Sequence, residues 1–240
     1  MVKVPSVAGG QHVERSAGGG EIDRFLTQLR DTPSTEGSGR LIFALDATMS
    51  RQPTWDRACR LQGEMFGAVG AAGPLLVQLV YFRGFGECRA SRWVARTDAL
   101  RDLMTRIDCR GGRTQIGRVL AHARTEAGRG KVRALVFIGD AMEEDADALC
   151  AVAGELGVLG VPCFMVQEGR ERSAEAAFRE IARLSRGAYL RLDEGSADAL
   201  RNLLRAVAAF ATRGMAALES QGSRESRLLI EQMRGRGGPG

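Results

Sequence analysis

The sequence predicts an α/β fold: a doubly wound, mostly parallel six-stranded sheet with one antiparallel edge strand and helices on both faces. Three observations carry this. From Arg40 onward, apolar runs of five to eight residues alternate with segments of helical periodicity. The runs are apolar at successive positions, so each strand is expected to bury both faces, as parallel strands do. One pair of runs is joined by Arg83-Gly84-Phe85-Gly86, a hairpin signal that places a single antiparallel strand.

The elements follow in order. Residues 1–39 read as a flexible N-terminal segment, Gly-rich to residue 20. Within it Ile22, Phe25, Leu26 and Leu29 predict a short amphipathic helix over 21–30. Leu41–Leu45 is the first strand and Thr54–Val69 the first large helix. Leu75–Phe82 and Glu87–Val94 are the hairpin strands. Asp98–Ile107 and Gln115–Ala127 are helices on either side of a break at Gly111-Gly112. Strand Val132–Ile138, helix Ala146–Leu156, strand Val161–Val166, helix Ala174–Leu184 and strand Ala188–Leu192 complete the alternation. A final helix is expected over Ala197–Leu218. The domain is thus expected over 40–218, followed by a tail over 219–240. That tail has one apolar cluster (Leu228, Leu229, Ile230, Met233) and a frayed RGRGGPG end.

Composition excludes several classes. The chain has 240 residues, 44% hydrophobic and 26% charged, which is globular and not disordered. No apolar run approaches the ~18 residues of a membrane span. The first twenty residues lack a basic-then-apolar leader, so the expected address is the cytoplasm. The net charge is +5, and all basic residues but Lys3 and Lys131 are arginines. They are interspersed with acids instead of forming a block, which argues against a nucleic-acid arm. Five cysteines without a C-x-x-C pair argue against a disulfide framework or zinc ribbon. Two histidines, His12 and His122, leave no His-rich site, and both are expected to be structural or solvent-facing.

In such sheets ligands sit at the carboxyl ends of the strands, near the reversal of strand order. Asp46-Ala47-Thr48-Met49-Ser50 follows the first strand. Alternation on an extended chain puts Asp46, Thr48 and Ser50 on one side. Gly111-Gly112-Arg113-Thr114 presents another hydroxyl, and Gly139-Asp140 another carboxylate. All five side chains offer oxygen, which suits a hard divalent cation.

Taken together, DATMS, GGRTQIG and FIGD resemble the three-part motif of von Willebrand factor type A (VWA) domains with a metal-ion-dependent adhesion site. The chain looks like a single-domain, intracellular, bacterial-type member of that Rossmann-like family. The resemblance implies that Thr48, Ser50 and Thr114 contact Mg²⁺ (or Mn²⁺ or Ca²⁺), and that Asp46 and Asp140 act largely through bound waters. It implies a protein partner whose Asp or Glu completes the coordination shell, and by family analogy an AAA+ ATPase or chaperone as companion. The sequence departs from the family at Gly139, where a Thr is frequent, and Arg113 adds a cation beside Thr114.

The expected function is therefore a metal-dependent protein-binding module, a scaffold or assembly factor, with no enzymatic activity and no nucleic-acid or membrane partner. Two alternatives stand beside it. One is Mg²⁺-dependent phosphoryl transfer with Asp46 as nucleophile; Thr48 stands where such enzymes carry a second Asp. The other is a VWA domain with a degenerate metal site, acting purely by surface contact. The acidic run Glu143-Glu144-Asp145-Ala146-Asp147 is expected to favour a helix N-terminus, the alternative being an acidic lip that raises cation affinity or repels wrong partners. Trp55 is a candidate partner contact.

Overall fold

Leu41 to Ala47 are all buried, and a strand buried on both faces can lie only inside a sheet. In the computed structural model, which describes residues 14–15, 39–51, 75–95, 102–192 and 197–235, this segment is β2 (Gly39–Asp46). It pairs in parallel with β3 (Leu75–Arg83) on one side and β5 (Val132–Gly139) on the other. Beyond β5 come β6 (Cys163–Glu168) and β7 (Ala188–Leu192), also parallel. Beyond β3 lies β4 (Glu87–Ala90), antiparallel through the expected hairpin. The six-stranded mixed sheet is therefore as expected. A two-residue strand, β1 (Glu14–Arg15), pairs along the outer side of β4 and extends the order to β1-β4-β3-β2-β5-β6-β7.

The antiparallel strand is shorter than the apolar pattern predicts. After Ala90 the Ser91 side chain intrudes: its Oγ accepts from Leu79 N at 3.0 Å, where a regular ladder would use a carbonyl. Pairing resumes once, between Val94 and Val77.

Helices cover both faces. α1 (Ile116–Arg129), α2 (Ala146–Val158) and α3 (Arg172–Leu184) pack on the side carrying Ile42, Ala44, Val80 and Phe137. α4 (Ala197–Arg213) packs on the side carrying Leu41, Phe43, Val77 and Val136, with Leu103, Met104 and Ile107 beside it. Residues 102–104 are helical, the described part of the helix expected over 98–107. The expected final helix breaks at Gly214, whose φ of 76° leaves the helical region; α5 (Met215–Ser220) follows. The tail cluster forms α6 (Arg224–Arg234), whose Leu229 joins the core. The segment 21–30, the helix 54–69, Trp55 and His12 lie outside the described residues.

The alternation of faces positions the site. Asp46 continues the Ile42–Ala44 face of β2, and Leu45 pairs with Ile138, one residue before Gly139. The chain leaves β2 toward β3 and later returns across β2 to β5, so strand order reverses there. No described helix is long and apolar enough to cross a membrane.

Candidate functional site

Three loops meet at the carboxyl ends of β2, β3 and β5. The first begins at Asp46, which is wholly buried. Its Oδ1 accepts from Thr48 N at 2.8 Å, a side-chain turn that ends the strand. Ala47 is held by Phe82, to whose carbonyl its N–H donates (2.9 Å), and by Arg110, whose N–H donates to its carbonyl (3.0 Å). A 3₁₀ turn over Met49–Arg51 then brings Ser50 Oγ to 3.1 Å from Thr48 Oγ1. The two hydroxyls expected to share a side do share it. Thr48 is buried and Ser50 exposed, so the pair spans the boundary between core and solvent.

The second loop, residues 108–115, lies against the hairpin. Arg110 forms an isolated parallel bridge with Thr48. Arg113 N donates to Gly84 O at 3.1 Å, and the Gln115 carboxamide donates to the Arg83 and Gly84 carbonyls. Gly112 is required here, because a Cβ would stand 2.0 Å from Gly84 O. Arg83 clamps the same junction, donating to Glu87 and to the carbonyl and carboxylate of Asp108. Burial works to raise the Glu87 pKa. The hydrogen bond and charge of Arg83 outweigh it and hold that carboxyl below its ordinary value.

The third loop follows β5 and holds Thr114 from the other side. Thr114 N donates to Glu143 Oε2 at 3.2 Å, and Glu143 N donates to Thr114 Oγ1 at 3.0 Å. Glu144 accepts from Ile116 N and, at 2.9 Å, from Gly117 N. Those are orphan donors of α1, whose own N-cap residue Gln115 supplies no side-chain cap. Of the acidic run, only Asp145 caps the helix that follows it, accepting from Ala148 N at 2.9 Å. Glu143 reaches across to Thr114 in the second loop, and Glu144 to the first turn of α1. This is a role the sequence reading missed; its one signal is the lack of any Ser, Thr, Asp or Asn immediately before Ile116 except Thr114, which is already committed.

Asp140 closes the group. Its Oδ1 is buried and has no hydrogen-bond partner among the described residues. Gly139, where the family resemblance would place a Thr, faces a wall: a Cβ there would stand 2.8 Å from the Phe137 ring and 3.5 Å from Asp46 Cβ. Glycine lets Phe137 rise beneath Asp46, so the departure follows from how the core is filled.

The structure thus links Asp46, Thr48 and Ser50 in one hydrogen-bonded run. It ties Thr114 to the Asp140 loop through Glu143, and both loops to the strand ends. Nothing comparable in nitrogen or sulfur exists among the described residues, where no three His, Cys, Asp or Glu side chains gather. His122 is buried on α1 and hydrogen-bonds Gln78 at 2.8 Å, a structural role, and Cys109 is buried. Exposed Phe85 and Met49, beside these loops, were also missed. An apolar residue between two glycines in a hairpin turn was the available signal for Phe85.

Similar solved structures include von Willebrand factor type A domains. One is a von Willebrand factor type A structure from Catenulispora acidiphila, at 16% identity and a TM-score of 0.57; the match covers 74% of this chain and 43% of that one. A second is an aerotolerance-related membrane protein from Bacteroides fragilis (19% identity, TM-score 0.52, 70% of this chain and 96% of that one). A third is the SpRpn10 VWA domain (15%, 0.54, 69% and 94%). This chain therefore has the VWA fold, and it spans less than half the length of the first of these structures. Neither a protein-family model nor a curated protein matches the sequence.

Proposed function

We propose that this chain is a protein-binding module that captures a partner's Asp or Glu side chain through a divalent cation at the carboxyl ends of β2 and β5. The observation that carries the reading is the paired Thr48 and Ser50 hydroxyls, 3.1 Å apart, together with the unpartnered Asp140 Oδ1. A buried carboxylate oxygen without a donor is costly unless a cation or water meets it. The donors fit Mg²⁺ or Mn²⁺, hard ions that take oxygen and keep several waters. Thr48, Ser50 and Thr114 would hold the ion directly, and Asp46 and Asp140 would orient its waters. A bound divalent ion supplies one open coordination position and local positive charge. The chain's residues do the rest: Glu143 fixes Thr114 from behind, and Asp46 fixes the Thr48 backbone.

The proposal includes no catalytic step. The burial of Asp46 favours a role behind the ion over one as a phosphoryl-accepting nucleophile. The position at a reversal of strand order supports a ligand site in this place. Among similar folds, one is named a pilus adhesin and one a COPII-coat protein, names that denote attachment and coat assembly for those proteins.

Mn²⁺ titration of the purified chain, followed by electron paramagnetic resonance, tests the site. One bound ion is expected, competed by Mg²⁺ and lost in Ser50→Ala and Thr114→Ala. Partners captured in Mg²⁺ should be released by EDTA. Unchanged capture after chelation and in Ser50→Ala would overturn the metal bridge.

A further inference from the structure

Four large apolar side chains stand exposed among the described residues, and two lie beside the candidate metal site. Phe85 is 83% exposed at the tip of the β3–β4 hairpin, and Met49 is 56% exposed between Thr48 and Ser50. The other two, Val158 and Leu159, end α2, which starts at the site's edge of the sheet and runs away from it.

Phe85 is held outward by a clamped turn. Gly84, at φ 62°, makes the bend. Its carbonyl accepts from Arg113 N and Gln115 Nε2, and on the other side of Phe85 the Gly86 carbonyl accepts from the Arg118 guanidinium. Fixing the backbone on both sides of an exposed ring lowers the loop-ordering part of the cost of a partner contact. A rigid aromatic of this kind is the usual anchor of a binding surface.

Charge adds a second element. In the hairpin and the Thr114 loop, Arg83 is paired with Glu87 and Asp108, Arg110 with Asp108, and Arg118 with carbonyl oxygens. Arg113 is exposed, and its guanidinium has no partner among the described residues. It follows Gly112 on the strand-end face and precedes Thr114, so it presents a free bidentate donor next to the metal loop.

We infer that the occupant of this face is an acidic segment of a partner protein carrying an apolar side chain within a few residues. One carboxylate goes to the metal position, a second or the same acid's neighbour to Arg113, and the apolar side chain to Phe85 and Met49. This rests on the metal reading above but adds the partner's chemistry, which that reading leaves open. Met49 suits the task because its unbranched side chain adapts to varied apolar neighbours.

The test is a random-peptide phage library panned on the full chain in Mg²⁺, followed by anisotropy titration of a synthetic peptide of the recovered consensus. Recovered peptides should pair an acid with Phe, Leu, Trp or Met. Phe85→Ser and Arg113→Gln, both at exposed positions that leave the core intact, should each weaken binding about tenfold. Recovery of nothing, or of peptides lacking that pairing, overturns the inference. Affinity lost on chelation but unchanged in both variants also overturns it, and leaves the metal reading standing. Affinity that survives chelation and Ser50→Ala but falls in Phe85→Ser overturns the metal reading and supports the apolar anchor.

Discussion

Gly139 shows how a single missing methyl group shapes the site. Its Cβ position is filled by the Phe137 ring, which stacks with Phe82 and meets Phe178 edge-on. A Thr here, frequent in the VWA domains whose motif the sequence resembles, therefore overpacks a rigid aromatic cluster. Gly139→Thr is expected to lose about 1–3 kcal/mol of stability, read by urea unfolding, with no gain in Mn²⁺ affinity. Glu144 makes the complementary case. Its carboxylate satisfies two N–H groups at the start of α1, so Glu144→Ala should cost about 1–2 kcal/mol. Hydrogen exchange at Ile116 and Gly117 should quicken. Thr114 would keep its Glu143 contacts, so metal affinity should fall far less than in Thr114→Ala.

Elements with strong periodicity were legible; elements fixed by contacts distant in sequence were not. The five parallel strands β2, β3, β5, β6 and β7 follow from apolar runs, because burial on both faces leaves a continuous signal; β4, buried on one face only, follows from the hairpin turn, and the two-residue β1 carries no such signal. The Thr48–Ser50 pairing follows from alternate spacing. The break at Gly214 was read through, since apolar residues continue on both sides of it and only the backbone angle changes. The contacts of Glu143 with Thr114 and of Glu144 with the start of α1 are not legible, because local sequence shows the nearest helix start and not the loop and helix across the sheet edge. α6 reads only as a small apolar cluster, yet it seals an edge. The Gln232 carboxamide donates to Tyr189 O and accepts from Tyr189 N, both at 2.9 Å, so it acts as a substitute strand beside β7. Gln232→Leu should cost about 1–2 kcal/mol and speed exchange of the Tyr189 amide, with strands β2 and β5 unaffected. α1 carries a pH-dependent element. Burial works to raise the Glu126 pKa, but hydrogen bonds from Trp93 and Arg129 outweigh it and hold the carboxyl below its ordinary value. A depressed folded-state pKa contributes stability at pH above the ordinary carboxyl value, and that contribution is lost as pH falls through the folded one. Glu126→Gln should therefore flatten the acid limb of the stability curve, measured by denaturation at successive pH values.

At the scale of the whole molecule, the sheet and the candidate site are energetically separable. Two apolar layers sandwich the strands, and none of the site's five side chains supplies the bulk of either. Metal binding should thus add to an already folded protein instead of creating the fold, unlike small metal-dependent domains. The addition has a definite size. An ion that binds only the folded state contributes RT ln(1 + [M]/Kd), about 2.7 kcal/mol at a concentration 100 times Kd. For a domain of this length each kcal/mol moves the melting temperature by roughly 2–4 °C. Saturating Mg²⁺ should therefore raise Tm by about 5–10 °C, and EDTA should return it to the metal-free value without unfolding the chain. Ser50 is exposed and joins the rest of the site through its hydroxyl contact with Thr48. Ser50→Ala should abolish the Mg²⁺ increment and leave the metal-free Tm within about a degree, as surface substitutions do. A Tm that ignores Mg²⁺ in the unaltered chain, or an increment that persists in Ser50→Ala, would place any bound ion elsewhere on the molecule.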